Sequence, residues 1–191
     1  MNFDFKNNIA PKKGCLLLSD PYKGDEFFER SVVYICEHDE TKGTLGFIIN
    51  KPVQVQLNNL NPAFENEEVT SFIGGPCEQE SLFFIHQHIE GVQDGLPITN
   101  EVFLGHDYTN LQKIISPKLV EMGKIKLFIG YSGWDIGQLE DEIERNCWAV
   151  FPDVSLEDLF YYQKNLWQKM MQKLGDKYKI MSQFPLDPNY N

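Results

Sequence analysis

The sequence predicts a layered α/β fold, and three observations carry the prediction. Two neighbouring segments, residues 31–37 and 44–49, are apolar on both faces, as strands covered on each side are. A capping-box start at Ser155-Leu156-Glu157-Asp158 leads into apolar residues at helical spacing as far as Gly175. With 191 residues, 42% hydrophobic and 13% aromatic, the chain has material for one core, since a domain of this size buries about 70% of its unfolded surface.

The elements follow in order. Residues 1–13 are polar, end in Pro11-Lys12-Lys13, and read as a flexible arm before one compact domain over residues 14–191. A strand over 15–18 is closed by the turn residues Ser19-Asp20-Pro21 and Gly24-Asp25. Residues 31–37 and 44–49 then form a hairpin, stopped by Asn50-Lys51-Pro52. Residues 53–68 are polar and allow at most a short helix before a strand over 69–73, which Gly74-Gly75-Pro76 ends. A strand over 82–86, a loop over 87–97 and an extended piece over 98–104 come next.

Asp107 is placed to cap a helix carrying Leu111, Ile114 and Ile115, which Pro117 breaks; a second short helix holds Leu119, Val120 and Met122. A buried strand over 125–130 precedes a turn at Ser132-Gly133-Trp134, a helix over 138–145, a strand over 148–151 and the long helix over 155–175.

Charge and cysteine usage narrow the function. With 17 Lys and Arg against 28 Asp and Glu, the net charge is −11, which repels phosphate backbones, so direct nucleic-acid binding is disfavoured. The apolar runs are too short to span a membrane, and MNFDFKNN has no signal-peptide core, so the cytoplasm is expected. Cys15, Cys36, Cys77 and Cys147 lie far apart, as reduced core thiols do. No cofactor motif occurs, and none is expected.

Several constellations invite chemistry. Period-two alternation places Cys36 and His38 on one face, where an imidazole activates a thiol; the plainer reading packs Cys36 in the core. His86, His88 and the pair His106-Asp107 contain metal-binding atoms but match no ligand spacing, and no metal is assigned. Gly74-Gly75-Pro76 and Gly130-Tyr131-Ser132-Gly133-Trp134 follow strands, where backbone N–H groups meet ligands. Neither is a P-loop or a nucleophile elbow. Glu140 and Glu144 share a helix face; the plainer reading is solvation or helix-end electrostatics, and the sharper one is acid–base work or cation binding by the carboxylates.

In sequence order, Gly14-Cys15-Leu16-Leu17-Leu18-Ser19, residues 28–38, residues 43–52, Gly74-Gly75-Pro76, residues 130–143 and Asp187-Pro188 resemble the YqgE/AlgH family of bacterial proteins. The resemblance implies an α/β domain whose mixed sheet is bent or bifurcated into a partial barrel and flanked by helices. It carries no established enzymatic activity, and the label of transcriptional regulator borne by some members comes without a DNA-binding mechanism. Glu80 stands near where an arginine is common in relatives, which argues against an anion site at the glycine loop.

The leading expectation is therefore a non-catalytic cytosolic protein that binds a small molecule or a protein partner. Its surface is expected where Arg30, His38, Asn50, Gly74, Gly75, Ser132, Trp134, Gln138 and Glu140 converge. Arg30 is read first as a structural ion pair with Glu140 or Glu142. The alternatives are a hydrolase or transferase using Cys36 with His38, or Ser132, and a transcriptional regulator.

Overall fold

The computed structural model describes residues 4–23, 27–59, 62, 67–90, 93–105, 109, 111–112 and 115–185. The expected cap at Asp107, the pair His106-Asp107 and the motif Asp187-Pro188 lie outside the described residues.

Among the described residues ten strands make one sheet: β1 (Leu16–Ser19), β2 (Val32–Asp39), β3 (Gly43–Ile48), β4 (Pro52–Gln56), β5 (Glu68–Ile73), β6 (Cys77–His86), β7 (Leu96–Pro97), β8 (Phe103–Leu104), β9 (Ile125–Trp134) and β10 (Trp148–Phe151). The described helices are α1 (Pro117–Glu121), α2 (Gln138–Glu144), α3 (Leu156–Phe160), α4 (Leu166–Leu174) and α5 (Asp176–Met181).

The sheet order is β10-β1-β2-β3-β9-β6-β8-β7, with β4 paired to β5 and β5 to β9. Along one edge of β9, its first half pairs in parallel with β5 through Phe72↔Phe128 and Ile73↔Ile129. Its second half pairs antiparallel with β3 through Gly46↔Ser132 and Thr44↔Trp134. Two strands thus share one edge of β9, and the sheet bifurcates there without closing.

Gly130 stands at the fork with φ +69°, and Gly74 fits the crevice because a Cβ there would lie 2.2 Å from the Gly130 carbonyl oxygen. The Gly74 carbonyl accepts from the Ile48 N–H at 2.9 Å, and its own N–H donates to Ile129 at 2.8 Å.

Both faces are covered, as the two-sided apolar strands require. Leu16, Leu18, Tyr34 and Phe47 pack with Leu159, Trp167, Met170 and Met181 from α3, α4 and α5. Leu17, Val33, Ile35 and Ile48 pack on the other face with Leu139 and Ile143 of α2. A third cluster joins Val69, Phe84, Ile125 and Leu127 to Leu111 and Ile115.

Four local expectations change. Residues 52–56 form β4, because Val53 and Val55 alternate with polar residues as an edge strand tolerates. Ser132-Gly133-Trp134 continues β9 instead of turning, since β3 supplies its hydrogen-bond partners. The long helix is broken after Phe160: Tyr161 to Asn165 carry no apolar stripe, and Gln163 turns to Asp158 at 3.1 Å. Over its described part the N-terminal segment is fastened to the fold, with Phe5 fully buried and Asn7 exchanging side-chain hydrogen bonds with the Val150 backbone at 2.7 and 3.1 Å.

Candidate functional site

The residues expected to converge separate into two groups. Near the start of β3, His38 Nδ1 lies 2.7 Å from Thr44 Oγ1, and its Nε2 lies 3.5 Å from Glu140 on α2. Trp134 pairs with Thr44 in register. Asn50 follows the far end of β3, six residues of extended chain from Thr44 and so about 20 Å away. There its side chain accepts from Val32 N–H and donates to the Arg30 carbonyl, each at 2.9 Å. One small-molecule pocket does not hold both groups.

Arg30 does not face Glu140 or Glu142. Its guanidinium stacks 5.1 Å from the Trp167 ring centroid and donates to the Phe184 carbonyl, tying the β1–β2 connection to the C-terminal helices. Gly75, at φ +155°, sits where a Cβ would meet Ser132 Oγ and Tyr131 backbone atoms at 2.4 Å. Ser132 is fully buried and donates to the Gly74 carbonyl at 2.9 Å. Gly74 and Gly75 pack closely against Gly130, Tyr131 and Ser132 at the fork, and the Ser132 hydroxyl is committed to the Gly74 carbonyl.

The paired thiol and imidazole are also undone. Register shifts between Ile35 and Glu37, so Cys36 is the extra residue of a β-bulge, and period two fails across it. Cys36 is buried as a member of the first cluster, whereas the His38 ring bonds to Thr44 and points its Nε2 at Glu140 of α2. Burial pushes the Cys36 thiol well up, the reverse of nucleophile activation.

Gln138 serves the neighbouring tryptophans through Glu142, whose role was not foreseen. Trp134 and Trp148 donate their indole N–H groups to Glu142 Oε2 at 2.9 and 2.8 Å, and Gln138 donates to Oε1 at 2.9 Å. His86 is engaged at both ring nitrogens. Its Nε2 must accept from Gly95 N–H at 3.2 Å, so Nδ1 carries the proton toward the Gln87 carbonyl at 2.9 Å. Neither ring nitrogen is free for a metal.

The geometry that stands out is at Lys126. In β9, Ile125 and Leu127 face the third cluster and Phe128 faces the first, so alternation turns Lys126 into the layer beneath α3. The residue is 2% exposed. Its Nζ donates to the Leu159 carbonyl at 2.8 Å and lies 3.7 Å from the Phe72 ring centroid. Among the described residues no carboxylate forms a salt bridge with it. Asp158, buried on the same helix as Leu159, is committed to Lys169 and Lys173 at 2.6 and 2.7 Å. Burial pushes the Lys126 ammonium down to about 7.

Lys126 lines a cavity of about 230 Å³ between β4, β5, β9, α1 and the chain after α3. Val69, Phe72, Val120, Ile125 and Phe160 supply apolar walls, and Glu68 and Glu121 are exposed acidic members of the lining. The break after α3 creates this arrangement, because it frees the Leu159 carbonyl for Lys126 and sends Tyr161 and Tyr162 along the lining. The available sequence signal was one lysine inside the apolar run Ile125-Lys126-Leu127-Phe128-Ile129.

Two roles fit these contacts. The ammonium caps the C-terminal end of α3, where a cation is favoured by about 0.3–1 kcal/mol. A shift from 10.5 to about 7, at about 1.4 kcal/mol per unit, nevertheless sets a net penalty of several kcal/mol on the charged form. Capping alone is a costly use of a buried lysine; an anionic group in the cavity would supply the missing counter-charge.

Fold and site together define an α/β protein with a forked open sheet and a buried amine in a small aromatic-walled cavity. The chain belongs to the AlgH-like family, DUF179, which matches residues 16–179. It is similar to a UPF0301 protein of Cytophaga hutchinsonii, 36% identical over 94% of this chain and 98% of the relative. A UPF0301 protein of Bacteroides fragilis is also 36% identical, over 97% and 94%. In fold it is similar to the crystal structure of DIP2367 from Corynebacterium diphtheriae, with TM-score 0.72, 24% identity and coverage of 95% and 97%. The solution structure of AlgH from Pseudomonas aeruginosa gives TM-score 0.66 at 23% identity, covering 94% and 98%.

Proposed function

We propose that this chain is a non-catalytic binding protein whose cavity at Lys126 takes a small organic monoanion with an apolar body. The observation that carries the reading is a buried amine without a carboxylate partner among the described residues, lining a cavity with aromatic walls. A volume of about 230 Å³ falls below the roughly 300–1,000 Å³ of drug-sized sites, which favours a ligand of one ring or a short chain. Glu68 and Glu121 in the lining disfavour dianions such as phosphate esters. The net charge of −11 favours a ligand over nucleic acid. Among the described residues no helix is long and apolar enough to cross a membrane, and four free thiols support a cytoplasmic setting.

The test is a thermal-shift and calorimetric titration with benzoate, hexanoate and inorganic phosphate. A ligand at 100 times its Kd stabilises by about 2.7 kcal/mol. Saturable shifts are expected with the monocarboxylates, weakening from pH 6 to pH 8.5 as the ammonium deprotonates. They should vanish in a folded Lys126→Met variant. No shift, or the same shift in that variant, refutes the reading.

A further inference from the structure

The cavity brings together a buried primary amine and apolar walls supplied by Val69, Phe72, Val120, Ile125 and Phe160. From this geometry we infer that Lys126 condenses reversibly with a small aldehyde held in the cavity, forming an imine. The inference rests on the ligand cavity proposed above and names a second class of occupant for it.

Elsewhere the candidates are weaker. The thiol of Cys36 is buried and its acidity is lowered by that burial, the hydroxyl of Ser132 is committed to Gly74, and the partner beside His38 Nε2 is the exposed Glu140. Lys126 differs because its side chain lines open volume while its charged form has no counter-ion among the described residues. The groups facing it are neutral on two sides: the Phe72 ring of β5 and the Leu159 carbonyl of α3. The acidic groups of the lining are Glu68 on β5 and Glu121 on α1.

Imine formation requires the neutral amine, which apolar surroundings favour. The amine, held down to about 7 by burial, has a substantial neutral fraction at physiological pH. The nitrogen lone pair attacks the carbonyl carbon, the C–N bond forms, and the π pair moves to oxygen. A proton passes from nitrogen to that oxygen, giving a carbinolamine. The hydroxyl then leaves as water with the second amine proton, and the C=N bond closes. These protons are exchanged with solvent water. No electrons are gained or lost overall.

The test uses the full chain, benzaldehyde as probe and sodium cyanoborohydride to trap the imine as a secondary amine, followed by peptide mapping by mass spectrometry. Lys126 should be alkylated ahead of the exposed Lys164 and Lys179 at pH 7, and excess benzoate should protect it. If benzoate binds by thermal shift while Lys126 is unmodified or reacts no faster than Lys164, the imine inference fails and the cavity reading stands. Absence of both labelling and benzoate binding overturns both. Labelling is read on the wild-type chain, so the result does not depend on a variant folding.

Discussion

Lys126 Nζ donates to the carbonyl oxygen of Leu159 at 2.8 Å, which joins the middle strand of a forked sheet to the end of α3 where the chain breaks toward the cavity. The same contact stabilises the helix end and fixes the side chain of a residue that lines the cavity. Energetics separate the two roles, because a cap works best when charged and a buried amine without a counter-ion is most stable when neutral.

Replacing Lys126 with Met should therefore change stability in a pH-dependent manner. The folded value is depressed from 10.5 to about 7, so between these limits the unfolded chain binds a proton that the folded chain does not, and wild-type stability rises with pH. The penalty is complete below about pH 7 and gone above about pH 10.5. Relative to Lys126→Met, the wild type should gain about 1.4 kcal/mol per pH unit across that window. Urea denaturation at pH 6, 7.5 and 9 measures the difference; a constant offset contradicts the buried-amine account.

Glu142 holds two indole N–H groups and the Gln138 amide. Glu142→Gln keeps the shape but replaces one acceptor oxygen with a donor, leaving an N–H group facing an N–H group. The expected loss is about 1–3 kcal/mol, with altered near-ultraviolet dichroism from Trp134 and Trp148. Benzoate affinity should be unchanged, since neither tryptophan lines the Lys126 cavity.

Gly75 and Ser132 distinguish a structural fork from a ligand loop. Gly75→Ala puts a methyl group 2.4 Å from Tyr131 backbone atoms at φ +155° and should cost several kcal/mol. Ser132→Ala removes one hydrogen bond and should cost about 1 kcal/mol. Thermal denaturation of both variants checks the ranking, and benzoate binding by folded Ser132→Ala should match wild type.

The sequence made visible what depends on local pattern. The two-sided apolar segments became β2 and β3, the helix after Gly137 was found within a residue, and the family resemblance implied the bifurcated sheet. What escaped depends on partners distant along the chain. A bulge exists only relative to the opposite strand, so Cys36 and His38 were placed on one face. Ser132 looked like a turn residue because the pairing of β3 with the second half of β9 leaves no mark in residues 130–134. Lys126 was visible as the one charge in its apolar run, but its importance required knowing that α3 ends at its side chain and that Asp158 is taken by two other lysines.

The most direct test is a carbon-13 NMR titration of the protein labelled at lysine Cε, without and with saturating benzoate. One resonance, absent in Lys126→Met, should titrate near pH 7, and bound benzoate should raise its midpoint by stabilising the ammonium. If every lysine titrates above about pH 9, or the low-titrating resonance ignores benzoate, Lys126 is not the ligand-binding amine described here.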